Sequence, residues 1–178
     1  MAAESKGMRG RQTVRDMVLS MLAVGVVVWV GYLFLPHDAD GDGVRKVEYK
    51  VAAASAKRAA PYPLLAPEGL SDQWRATSVK YDPAALGGGR GNAWHLGLVT
   101  PSGQYAAVEQ SDVSRDTLLD AMVAGGKPDG TSEVAGQTWD RIQGTKSRAL
   151  AVQNGGATTV LTGTASYEEL AELAKALK

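Results

Sequence analysis

Asp38-Ala-Asp40-Gly-Asp42-Gly43 sets three carboxylates at alternate positions with a glycine sixth, the way a calcium-binding EF-hand loop begins. The twelfth position of such a loop must hold a bidentate glutamate. Here it holds Tyr49, with Glu48 one residue early. A metal site on Asp38, Asp40 and Asp42 is therefore rejected, and the stretch reads as a solvated acidic spacer. Gly87-Gly-Gly-Arg90-Gly91 has the look of a phosphate loop, but it lacks the Gly-Lys-Ser/Thr ending, and Asn92 stands where the last glycine of a dinucleotide fingerprint belongs. His95 is the best single candidate for proton chemistry. It follows Trp94 in an alternating segment, so Trp94 is expected to face a core and His95 the opposite side. The sequence supplies no neighbouring carboxylate to make it a base. Trp94, His95 and Trp74 together form the candidate ligand-binding set. For Trp74 and Trp139 a core role competes with a cleft role, because no phenylalanine lies between 44 and 178 to fill the core.

Other chemistry is closed off. There is no cysteine, so no disulfide, thiolate metal site or cysteine nucleophile exists. No Gly-x-Ser-x-Gly, Ser-x-x-Lys or His-Glu-x-x-His motif occurs. Lys+Arg and Asp+Glu are both 19 in 178 residues, which argues against a nucleic-acid binder. No cofactor is expected.

The elements that must position these residues begin with an uncharged run, Met17 to Leu35. As a helix it would reach roughly 28 Å, close to the hydrocarbon thickness of a bilayer. Trp29 and Tyr32 fall in its outer half, where amphipathic rings favour the interface. The preceding residues carry Lys6, Arg9, Arg11 and Arg15, and the following ones are acidic. The expectation is a basic cytoplasmic tail at 1–16, a transmembrane helix at 17–35 contacting the lipid bilayer, an acidic spacer at 36–43 and an extracytoplasmic domain at 44–178. The run exceeds a signal-peptide core and no Ala-x-Ala site follows closely, so an uncleaved anchor is expected.

Within 44–178 the patterning predicts an α+β domain: a mostly antiparallel sheet with helices packed on one face. Val47, Tyr49 and Val51 alternate as a short strand, and Ala52–Ala60 is helical up to Pro61. Tyr62–Ala66 is extended, and Trp74–Tyr81 is a strand. Ala93–Thr100 pairs with Gln104–Gln110 over Pro101-Ser102-Gly103. A helix covers Arg115–Ala124. Glu133–Ala135 and Thr138–Gln143 are short strands, and Ala149–Gln153 pairs with Ala157–Thr162 over Asn154-Gly155-Gly156. Ser166 and Glu169 form a capping box for the last helix. The recurrence of hairpin plus helix raises the question of an internal duplication.

Pro61-Tyr-Pro-Leu-Leu-Ala-Pro-Glu-Gly-Leu70, Trp74-Arg-Ala-Thr-Ser78, Trp94-His-Leu-Gly-Leu-Val-Thr-Pro-Ser-Gly-Gln-Tyr105 and Thr162-Gly-Thr-Ala-Ser166 carry a resemblance. They resemble an actinobacterial family of membrane-anchored proteins, domain of unknown function 4245. The resemblance implies an envelope location and supplies no catalytic residue. A weaker similarity is to extracellular sensory domains of anti-sigma-type proteins, although sixteen residues before the anchor cannot fold a sigma-binding domain.

Together these readings favour a single-pass cell-membrane protein with a non-catalytic binding domain outside, meeting an envelope protein or a small ligand. The alternatives are an extracytoplasmic sensory domain and an enzyme with a site near His95.

Overall fold

The computed structural model describes residues 9–34, 47–83 and 91–178, with side chains of the first helix described from Arg15 to Trp29. The acidic triplet Asp38, Asp40 and Asp42, the spacer containing it, and Gly87 to Arg90 lie outside the described residues. The chain divides into two compact units, Met1–Gly43 and Val44–Lys178.

The first unit contains α1 (Arg9–Phe34), a 26-residue helix. Its described side chains from Arg15 to Trp29 are all exposed, including Met17, Leu19, Leu22, Val24, Val27 and Trp29. Among the described residues no helix is long and apolar enough to cross a membrane.

The second unit is built on a seven-stranded, wholly antiparallel sheet. Its strands are β1 (Arg75–Pro83), β2 (Asn92–Val99), β3 (Tyr105–Ser111), β4 (Lys127–Val134), β5 (Gln137–Gln143), β6 (Arg148–Asn154) and β7 (Ala157–Gly163). The order across the sheet is β1-β2-β3-β7-β6-β5-β4. Three helices join it: α2 (Tyr49–Ala59), α3 (Arg115–Met122) and α4 (Tyr167–Ala176). The α+β reading holds.

Strand alternation divides the side chains between two faces. Trp94, Leu96, Val108, Leu150 and Leu161 point to one face, where α2 supplies Ala53 and Ala56 and α4 supplies Leu170 and Leu173. Their neighbours Ala149, Ala151, Val160 and Ile142 point to the other, where Leu118 and Val123 from α3 and its C-terminal end meet them. The expectation of helices on a single face is therefore corrected: α3 covers the face opposite α2 and α4. Its stripe of Leu118, Leu119, Met122 and Val123 was legible in the sequence, but the side of the sheet it would choose was not. The same observation disposes of the duplication. Across the antiparallel β3–β7 pair only a two-fold normal to the sheet would superpose β1–β3 on β5–β7. Such an axis would put both following helices on one face, and they lie on opposite faces.

Two local expectations change as well. The segment around Val47–Val51 opens no strand. Glu48 caps α2 by accepting from the Lys50 N–H at 3.3 Å, and the helical Ala-rich run extends back to Tyr49. Val51 is left 75% exposed. The strand expected at Glu133–Ala135 instead begins at Lys127 as β4. It is an edge strand, where Pro128 costs no ladder hydrogen bond, and a bulge lies between Pro128 and Thr131. The extended segment after Pro61 is fastened through buried Gln110. Its Oε1 accepts from Leu65 N–H at 2.7 Å, its Nε2 donates to Pro63 O at 3.2 Å, and Tyr62 donates to its carbonyl at 3.2 Å. The capping box on α4 is present in both directions.

Gly163 ends β7 at φ +155°, and a Cβ there would collide with the backbone carbonyl of Tyr105. That carbonyl accepts from Ala165 N–H at 3.1 Å, so it cannot rotate away freely. Gly163→Ala is expected to lower stability by about 1–3 kcal/mol by forcing the central β3–β7 pair apart. Urea unfolding followed by tryptophan fluorescence checks this: a midpoint equal to wild type would contradict the reading.

Candidate functional site

β2 is the second strand of the sheet and its side chains alternate strictly. Trp94 is fully buried on the α2/α4 face, and His95 points the other way with its side chain 31% exposed. Antiparallel register then sets Glu109 of β3 directly opposite His95. His95 Nδ1 and Glu109 Oε1 are 2.6 Å apart. An ionised carboxylate can only accept, so Nδ1 donates. This leaves Nε2, 2.8 Å from Ser78 Oγ on β1, to accept the serine hydroxyl in the neutral ring. Ser78, His95 and Glu109 thus form a continuous hydrogen-bonded relay across three neighbouring strands.

The placement of Ser78 depends on an irregularity. The β1–β2 register shifts between Ala76 and Ser78, and Ser78 then pairs with Gly97. A bulge lets two consecutive residues approach the same spot. A Cβ on Gly97 would collide with Ser78 Oγ, and would lie 2.8 Å from the Tyr105 hydroxyl and 3.2 Å from Thr77 Oγ1. Glycine at 97 thus lets three hydroxyls converge closely over the β2 backbone. Gly97 lies in a cross-strand row with Ala107 and Thr162, and the buried Thr162 hydroxyl finds no partner among the described residues.

Electrostatics follow from the contacts. The hydrogen bond to Glu109 raises the His95 pKa above its ordinary 6.5; partial burial opposes this, and the carboxylate's charge adds to the rise. Burial raises the Tyr105 pKa, with the Glu109 charge adding to it against a lowering contact from Ser78. Tyr105 therefore remains a protonated donor at neutral pH. Among the described residues no group of three or more metal-ligating side chains gathers.

Of the residues singled out in the sequence, only His95 is at this site. Trp94 is in the core on the opposite face, its indole N–H without a partner among the described residues. Trp74 is 4% exposed in the same core and donates its indole N–H to Glu172 Oε1 of α4 at 3.2 Å. Trp139 is in that core too. The structure does not bring the tryptophans together with His95 in a binding set. Sequence reasoning missed Glu109, Ser78, Thr77, Tyr105 and Gly97. Cross-strand registration of the predicted hairpin could have found Glu109, because counting back from the Pro101–Gly103 turn pairs positions 95 and 109. Nothing in the sequence announces the bulge that brings in Ser78.

Two concavities are found elsewhere among the described residues. One of about 580 Å³ sits between α3 and β4–β5, where Arg115 and Asp140 pair at 2.6 Å. Another of about 510 Å³ sits between α2 and residues 66–70.

The family described as "Protein of unknown function (DUF4245)" matches residues 9–177. The chain belongs to that family. No curated protein and no solved structure matches it. The family is uncharacterised, so membership assigns no role to the relay. Its match covers both α1 and the whole sheet domain.

The relay makes stability depend on pH in a definite direction. The folded pKa of His95 is raised, so its contribution is complete below the ordinary value of 6.5 and is lost as pH rises through the folded value. The difference in melting temperature between wild type and Glu109→Gln is therefore expected to be largest near about pH 6 and to shrink toward about pH 9. A difference that is flat over this range, or that grows with pH, would contradict the pairing.

Proposed function

We propose that this protein is a single-pass cell-membrane protein. Residues 1–16 lie in the cytoplasm, 17–35 cross the bilayer, 36–43 are a spacer, and the domain at 44–178 lies outside, where it binds a small, hydroxyl-rich ligand on the open part of its sheet. The localisation is supported by the sequence: Met17–Leu35 carries no charge, is preceded by basic residues and followed by acidic ones. It is also supported by the exposure of Met17 through Trp29 on α1, an apolar surface that water would penalise and lipid would not.

The observation that carries the binding role is the convergence of Ser78, Thr77 and Tyr105 hydroxyls over the backbone of Gly97, with the His95–Glu109 pair beside them. Hydroxyls both donate and accept, the carboxylate accepts, and the half-exposed Tyr105 ring offers an apolar platform. That mixture suits a saccharide or similar polyol better than an apolar or strongly charged ligand.

Full-length protein in vesicles is expected to resist alkaline carbonate extraction, with residues 44–178 cleaved by protease only from the outer side. Release by carbonate, or cleavage only from the inner side, would refute the localisation. Titration of the full-length protein in detergent micelles with N,N′-diacetylchitobiose is expected to move the Gly97 and Tyr105 amide resonances saturably. Unmoved resonances would refute the ligand class.

A further inference from the structure

We propose that Ser78 is an activated nucleophile that cleaves esters of short acyl groups presented to the solvent-facing side of the relay. This rests on the reading of the open sheet face as a ligand site, and names the chemistry done there. Four features carry it. First, the nucleophile and its base are within reach, Ser78 Oγ to His95 Nε2 at 2.8 Å. Second, the base is oriented: Glu109 holds Nδ1 at 2.6 Å and is itself only 13% exposed, so the ring keeps the tautomer whose Nε2 can take a proton. Third, hydroxyl donors other than the nucleophile stand beside it over the Gly97 backbone, Tyr105 Oη and Thr77 Oγ1. They can donate to an oxyanion that develops beside Ser78. Fourth, glycine at 97 lets Ser78 Oγ sit close against the β2 backbone beside His95, where any side chain would strike the nucleophile. The bulge that turns Thr77 and Ser78 toward one spot is a feature over-represented beside active sites.

The acyl group must be short. The two concavities described above are lined by residues of α3, β4–β5, α2 and the segment 66–70, not by Ser78 or His95. An acetyl ester needs no pocket for its methyl, whereas a long chain would lie in water on this face.

The step balances without any co-reactant but water. Ser78 Oγ attacks the ester carbonyl carbon while its proton passes to His95 Nε2, and the carbonyl oxygen becomes an oxyanion. The C–O bond to the leaving alcohol breaks as Nε2–H protonates that alcohol, leaving acyl-Ser78. Water then attacks the acyl carbon, gives a proton to Nε2, and Ser78 Oγ recovers it as the carboxylic acid departs. Glu109 is a positioning residue throughout. Because the base must be neutral, the rate should rise with pH through the His95 pKa.

The test uses full-length protein in detergent micelles with p-nitrophenyl acetate as substrate and an alkyl fluorophosphonate as covalent probe. The expected result is a phosphonate adduct on the peptide containing Ser78. Ester hydrolysis should be abolished in Ser78→Ala and fall about 10²- to 10⁴-fold in His95→Gln. Glu109→Gln should retain some hydrolysis, with the midpoint of its pH–rate profile moved lower, a change that mere loosening of the fold would not produce. Thermal melting of each variant shows that it remains folded. Absence of an adduct on Ser78 in folded wild type, or hydrolysis by folded Ser78→Ala equal to wild type, would overturn the proposal. Saccharide-induced shifts at Gly97 without an adduct would remove the nucleophile and leave the ligand site standing. An adduct without such shifts would remove the saccharide and leave the nucleophile.

Discussion

The registration of β2 against β3 is the constraint on which the candidate site depends. Trp94 and His95 are consecutive, so one cannot enter the core without sending the other to the opposite face. Burial of the Trp94 ring therefore decides where His95 points. A slip of one residue would reverse both. The slip is resisted from several directions: Leu96 and Leu98 are buried on the Trp94 side, Ala106 and Val108 answer them from β3, and the tight turn at Pro101–Gly103 is closed by Gly103 N–H on the Thr100 carbonyl. The polar relay is thus positioned by apolar packing on the other side of the sheet.

The two ends of the sheet differ in a way that gives this positioning consequence. At the β5–β6–β7 end α3 covers the face opposite the main core with Leu118 and Val123. At the β1–β2–β3 end that same face carries Ser78, His95, Glu109 and the half-exposed Tyr105. Burial is strong enough to hold the strands rigid but leaves the relay in contact with solvent. A group held in that way keeps a fixed geometry and can still exchange protons. The buried hydroxyls of Thr158 and Thr162, both without a partner among the described residues, mark the transition between the covered and polar parts of this face.

The legible parts of the fold were those where one local rule dominated. The β2–β3 and β6–β7 hairpins followed from alternation joined by turn residues, and α4 followed from Ser166 and Glu169 capping a stripe of leucines. Tyr49 and Val51 were misread because alternation over so few residues looks the same at the start of a helix, and Ala52–Ala59 propagated helix backward. β4 was nearly invisible because an edge strand exposed on most of its length need not alternate. The tryptophans were ambiguous since ring size serves a core and a cleft equally well.

By itself the sequence determined the uncharged run at 17–35, the absence of thiol chemistry, the hairpins, the caps and the presence of one histidine in a strand. These depend on composition or on neighbours a few residues apart. Only the tertiary structure decided which face α3 would take, which tryptophans were core, and which carboxylate and hydroxyl would stand beside His95. Those outcomes depend on contacts between residues 14 and 17 positions apart in the chain for the relay, and farther for the helices. Such contacts form only when strands register and a bulge shifts one of them. No pattern along the chain encodes that shift, since it is the compromise the whole sheet reaches in packing both faces.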